Sequence, residues 1–152
     1  MDQDNIKKIV EDIFNHLACK METCEFNNDG DMLWCSITTP DSRFIIGREG
    51  ETLRSFTHIV KKILEKQIGE EESQKLTIDV NGYNKKRYDA LRATAHMLAE
   101  RAKYFKSSVD VEPMSPYERR IIHTFLESIP DVTTESAGVG LGRHVVIKYT
   151  GN

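Results

Sequence analysis

The chain has 152 residues, 39% hydrophobic and 30% charged, with 4 Pro and 9 Gly, which excludes a large multidomain enzyme and a disordered or collagenous chain and leaves room for one ordinary domain or two small ones of roughly 70 to 80 residues. The formal charge of −3 argues against a generic nucleic-acid binder, but residues 1–81 hold 10 Lys/Arg against 16 Asp/Glu whereas residues 82–152 hold 11 against 8, an asymmetry that suggests two modules. No apolar run reaches the roughly 18 to 20 residues of a membrane span, the N-terminal MDQDNI is acidic where a signal peptide is basic, and three cysteines (Cys19, Cys24, Cys35) are too few for a disulfide framework, so a cytoplasmic protein with reduced thiols is expected.

Ile6, Ile9, Val10, Ile13, Leu17 and Met21 recur at helical spacing, and this predicts an amphipathic helix over Asp4 to Met21. The turn cluster Asn27-Asn28-Asp29-Gly30 predicts a hairpin between Cys24–Phe26 and Met32–Thr38. Pro40-Asp41-Ser42 starts a very short helix through Phe44-Ile45-Ile46, closed at once by Gly47-Arg48-Glu49-Gly50. A longer helix follows with Leu53, Phe56, Ile59, Val60, Ile63 and Leu64 on one face and Arg54, His58, Lys61 and Lys62 on the other, and Leu76, Ile78 and Val80 alternate as a closing strand. The order is α-β-β-α-GxxG-α-β, ending near the Asn81-Gly82 turn.

A GxxG tetrapeptide is a weak signal alone, and a plain helix-helix turn accounts for it. Its place before an amphipathic helix adds chemistry, because backbone without side chains approaches phosphate oxygens closely and free N–H groups and the helix dipole favour anions. The segment Phe44-Ile45-Ile46-Gly47-Arg48-Glu49-Gly50-Glu51-Thr52-Leu53 resembles the signature of a KH domain, and the element order resembles that family's type II arrangement. The resemblance implies a loop that clamps about four nucleotides of single-stranded backbone, with Gly47, Arg48 and Gly50 as its contacts; Arg54 on the outward helix face joins the candidates. Glu49 departs from the pattern by adding a negative charge where phosphate would sit.

In the second half, Tyr88, Leu91, Ala95, Leu98, Ala99, Ala102 and Phe105 mark a long helix over Asn84 to Lys106 that opens with Lys85-Lys86-Arg87. Ser115-Pro116-Tyr117-Glu118 combines an N-cap serine, a proline at the first helical position and an acid three residues after the cap, a helix start. At about 100° per residue, Tyr117, Ile121, Ile122, Phe125, Leu126 and Ile129 share one side, and Arg119 and His123 stand a turn apart on the other, facing solvent. They are either two unconnected surface residues or a pair of donors for successive phosphates, or for a phosphate and a base. Val132–Ser136 and Arg143–Tyr149 read as two strands, with Gly138, Gly140 and Gly142 in a plain hairpin connection. Arg143, His144 and Lys148 extend the basic surface, and Arg120 joins Arg119, His123, Arg143 and His144 as a candidate contact.

Pro113 to His123 together with Arg143-His144-Val145-Val146-Ile147 closely resembles the domain named for its Arg-xxx-His signature, the R-three-H domain, whose members bind single-stranded nucleic acid. A KH domain followed directly by this domain resembles the SpoIIIJ-associated, or Jag-like, RNA-binding proteins of bacteria. Those proteins often carry a further N-terminal module, which this chain does not show.

Other chemistry is poorly represented. His16, Cys19, Cys24 and Cys35 lack the spacing of a zinc knuckle, no Ser/His/Asp order stands out, and Glu118 is occupied by capping. The expectation is an α+β protein of two small domains, 1–81 KH-like and 82–152 R-three-H-like, that binds single-stranded RNA, with single-stranded DNA as a further ligand, and has no catalytic residue, metal or cofactor. The resemblance implies post-transcriptional control, sometimes tied to cell elongation, division or sporulation. The competing expectation is an adaptor whose acidic half pairs with a second KH protein or another copy of itself.

Overall fold

The computed structural model describes residues 1–151. It is an α+β protein that divides into two compact units, one of Met1–Lys85 and one from Lys86 onward. The division falls within the first turn of a long helix.

The first unit opens with α1 (Gln3–His16), whose N-terminus is capped by the Asp2 carboxylate accepting from the N–H groups of Asp4 and Asn5. The apolar period continues through Leu17 and Met21, yet the helix ends at His16, because the chain turns through a left-handed Ala18 (φ 54°) and leads into a strand. β1 (Thr23–Asp29) and β2 (Met32–Thr38) form the anticipated hairpin, in register from Thr23 opposite Thr38 to Asp29 opposite Met32. After α2 (Ser42–Ile46), a 3-10 turn (Arg48–Gly50) and α3 (Glu51–Ile68) come α4 (Glu70–Gln74), which has no apolar period to announce it, and β3 (Leu76–Val80). β3 lies parallel to β2, so the sheet order is β1-β2-β3 and the helices form the crossover that a parallel pair requires.

The core of this unit lies between that sheet and one face each of α1 and α3: Ile6, Val10 and Phe14 meet Phe56, Val60 and Leu64 over Cys35, Ile37 and Ile78. Phe14 and Phe56 meet edge to face with centroids 5.7 Å apart. Each such fully buried side chain stabilises the fold by about 1.5–3 kcal/mol. Ile59, which shares the helical period, is exposed.

The long helix is α5 (Tyr83–Phe105). The buried Asp79 carboxylate at the end of β3 accepts from the N–H groups of Asn84 (2.8 Å) and Lys85 (3.3 Å), and the Asn84 amide donates to the Ile78 carbonyl. In the second unit follow β4 (Val109–Asp110), α6 (Pro116–Leu126), β5 (Val132–Ala137), a 3-10 turn (Gly140–Gly142) and β6 (His144–Tyr149). β6 is central, with β4 and β5 antiparallel on either side. Ala95, Ala99 and Ala102 of α5 have no bulk beyond Cβ and pack against Ile122 and Leu126 of α6 and Val145 and Ile147 of β6. Phe105, assigned to the apolar stripe by its spacing, is instead exposed, together with Tyr104. No helix among the described residues is long and apolar enough to cross a membrane.

Candidate nucleic-acid interface

In the first unit the segment 47–50 has an internal reason for both of its glycines. Gly50 is buried in a left-handed conformation (φ 75°), and a Cβ there would stand 2.7 Å from the ring of Tyr83. A Cβ on Gly47 would stand 2.1 Å from Thr52 Oγ1. Gly50, which the resemblance implies as a phosphate contact, is thus buried with its Cβ direction closed by Tyr83. Arg54 donates from Nη1 to the Glu49 carbonyl at 2.8 Å and so staples the turn. Arg48 is exposed. With Gly47, Ile46, Ser42 and Arg43 it lines an open recess of about 390 Å³. Arg43, also exposed, was missed from sequence; its position one turn before the glycines was the available signal.

In the second unit α6 is fixed by a complete capping box: the Glu118 N–H donates to Ser115 Oγ, and the Ser115 N–H donates to Glu118 Oε2 at 2.9 Å. The other Glu118 oxygen takes an ion pair from Arg87 at 2.6 Å. From this rigid start Arg119 sends Nη1 to the Met114 carbonyl at 2.8 Å, the Met114 N–H donates to the Arg143 carbonyl at 3.3 Å, and Arg143 sends Nη1 to the Gly138 carbonyl at 2.9 Å. A continuous run of hydrogen bonds thus brings together two arginines 24 positions apart in the chain. His144 donates from Nδ1 to the Gly142 carbonyl at 2.9 Å, and its Nε2 lies 3.9 Å from Asp110. Arg120 is on the exposed side of α6.

His123 is placed differently from its expected position. Rather than facing solvent it is half-buried, with Nδ1 2.6 Å from Thr134 Oγ1 and Nε2 3.1 Å from Ser136 Oγ. Thr134 and Ser136 alternate along β5 on the face turned toward α6, so the imidazole ties helix to strand. Burial, and then the charge of Arg119, push its pKa below the ordinary histidine value, against a smaller opposing effect of Glu127. Burial and Arg119 both favour the neutral ring, in which one nitrogen donates and the other accepts, each with a hydroxyl that can do either. Arg119 is likewise half-buried. The cationic charge of the pair is the arginine's, and His123 acts by positioning the strand beside it.

The arrangement can bind anions. A guanidinium has five N–H donors in a fixed fork, and the single backbone carbonyl that each of Arg54, Arg119 and Arg143 satisfies holds the fork in place while leaving further donors for phosphate oxygens.

Residues 89–149 match the family model of the R-three-H domain. The chain is 32% identical to the RNA-binding protein KhpB of Clostridium symbiosum over 146 residues, 95% of this chain and 65% of that protein. It is 32% identical to the RNA-binding protein KhpB of Bacillus subtilis over 115 residues, 74% of this chain and 54% of that protein, and to that of Streptococcus pneumoniae over 111 residues, 73% of this chain and 33% of that protein. The chain therefore spans between a third and two thirds of the length of these relatives, and its second unit, with Arg119 and His123 on α6, lies almost wholly within the R-three-H match.

Proposed function

We propose that this chain binds single-stranded RNA, with single-stranded DNA as a further ligand, without catalysing a reaction. The observation that carries the reading is the hydrogen-bonded run joining Arg119 to Arg143 within the residues that match the R-three-H domain. It places two oriented guanidinium forks at one end of a sheet, with His144 and Arg120 as further contacts, and the name shared by the relatives supports RNA as the ligand. In the same reading residues 1–81 are a type II KH-like domain. Its contact is the recess at Gly47 and Arg48, to which Arg43 adds a second cation, while Gly50 and Arg54 hold the turn in shape. A role in post-transcriptional control linked to cell elongation, division or sporulation is part of the proposal and rests on the resemblance.

A second reading, an adaptor that pairs with another KH protein or with its own copy, is favoured by the acidic first half and by Phe44 and Ile59, which are 59% and 51% exposed there. Fluorescence anisotropy with single-stranded RNA, duplex RNA and single-stranded DNA across salt concentrations separates the two. Contact with a few phosphates gives a log-log salt slope of about −0.7 per contact on single strands. A flat slope, or a preference for duplex, refutes the nucleic-acid reading.

A further inference from the structure

The connection between β5 and β6 carries two side chains that folding leaves unused. Val139 is 87% exposed and Leu141 fully so, more than any other large hydrophobic residue described. An exposed aliphatic residue on the surface is ordinary by itself. Two on the tip of a rigid loop are not. This loop is closed on itself: the Gly142 N–H donates to the Val139 carbonyl and the Arg143 N–H to the Gly140 carbonyl, each at 3.2 Å, and Arg143 Nη1 holds the Gly138 carbonyl. A Cβ on Gly138 would lie 2.7 Å from the Gly142 carbonyl oxygen, so the two ends of the loop approach as closely as glycine allows. The carbonyls of Gly138, Val139 and Gly140 are all taken up within the loop, and the aliphatic side chains are displayed outward between three residues that have none.

The surroundings decide what would cover such a tip. It sits on Arg143 and His144 and, through Met114, beside Arg119. No carboxylate occurs from Ser136 to His144; Glu135 of β5 is paired with Lys148 at 2.6 Å, and Asp110 lies 3.9 Å from His144 Nε2, which leaves the Arg143 guanidinium facing no acid among the described residues. An apolar tip with a cationic base is the complement of a strand whose apolar faces are exposed and whose backbone is anionic. We propose that Val139 and Leu141 form a base-contacting tip, against which an unstacked base of a single-stranded nucleic acid lies while Arg143 and Arg119 hold the adjoining phosphates; this rests on the single-strand reading above. The tip also supplies a physical source of strand selectivity, because the base faces of a duplex are already stacked and out of its reach.

The test is the double variant Val139→Ser/Leu141→Ser, titrated by anisotropy against a single-stranded RNA and against the same oligonucleotide carrying abasic positions. Neither side chain is packed, so the melting temperature should not move. Affinity for the intact strand should fall about tenfold at every salt concentration with the salt slope unaltered, as loss of an apolar contact requires. The wild type should lose a similar factor on the abasic strand, and the variant should lose little more. A folded variant with unaltered affinity, or one that loses self-association instead of RNA affinity, overturns the tip and leaves the arginine interface standing. A wild-type chain without salt-dependent affinity for single strands overturns the tip and the proposed function together.

Discussion

Replacing His123 by alanine tests whether the histidine of the Arg-xxx-His signature holds the second unit together. An exposed histidine would cost less than about 0.5 kcal/mol on truncation. The structure instead gives this ring two hydrogen bonds, at 2.6 Å to Thr134 and 3.1 Å to Ser136, across from α6 to β5. At about 0.5–1.5 kcal/mol each, their loss amounts to about 2 kcal/mol. For a unit of this size that is a fall in melting temperature of roughly 8–16 °C. Urea denaturation followed by far-UV circular dichroism measures it, and double-mutant cycles with Thr134→Val and Ser136→Ala isolate the pairwise part, expected near 1 kcal/mol with Thr134 and somewhat less with Ser136. A destabilisation within 0.5 kcal/mol, or additive double variants, would show that the ring does not bridge the two elements.

Three further outcomes follow from the same geometry. Because the pKa of His123 is lowered in the folded chain, the unfolded chain takes up its proton first as pH falls; this part of the stability is complete above about pH 6.5 and is lost below it, so pH-dependent melts of wild type and His123→Ala should run parallel above pH 7 and converge at acid pH. Gly50→Ala drives a methyl group into the Tyr83 ring and strains a left-handed residue, so it should destabilise the first unit by more than about 1 kcal/mol, read as a thermal shift; an unmoved melting temperature would separate Tyr83 from the turn. The Cys24 and Cys35 sulfurs lie 3.5 Å apart, and hydrogen bonding to Cys35 lowers the pKa of Cys24 while the same contact, together with burial, raises that of Cys35. Iodoacetamide mapped by peptide mass spectrometry should therefore label Cys24 well before Cys35, and Cys35→Ala should slow labelling at Cys24.

The parts of this chain that declared themselves in sequence are those whose physics is local. Ser115-Pro116 and Glu118 announce α6 because the cap, the ring and the returning carboxylate all act within four residues. The hairpin at Asn27–Gly30 and the alternating strand at Leu76–Val80 are of the same kind. α4 and β4 were silent: Glu70–Gln74 is polar throughout, and Val109–Asp110 is a strand only because β6 lies beside it. Helical spacing shows which residues share a face but not whether anything covers it, and so Ile59 and Phe105 were grouped with residues that a neighbour does bury. At the site, Arg119 and His123 were found by their spacing, yet the hydroxyls that hold His123 come from 11 and 13 positions further on. Their only trace is the alternation of Thr134 and Ser136. Arg143 was visible as a charge, but its approach to Arg119 depends on the Met114 N–H meeting the Arg143 carbonyl.

Asp79 and Tyr83 bear on how this protein should be divided for study. A fragment ending at the Asn81-Gly82 turn looks natural, but it discards the N–H groups of Asn84 and Lys85 and strands the Asp79 carboxylate, 4% exposed, with nothing to accept from. It also removes the ring that covers Gly50. A recombinant first half should therefore run through Lys85, and one stopped four residues earlier should be less soluble and more readily cleaved by protease near the GxxG turn, a defect that belongs to where it was cut and not to the half itself.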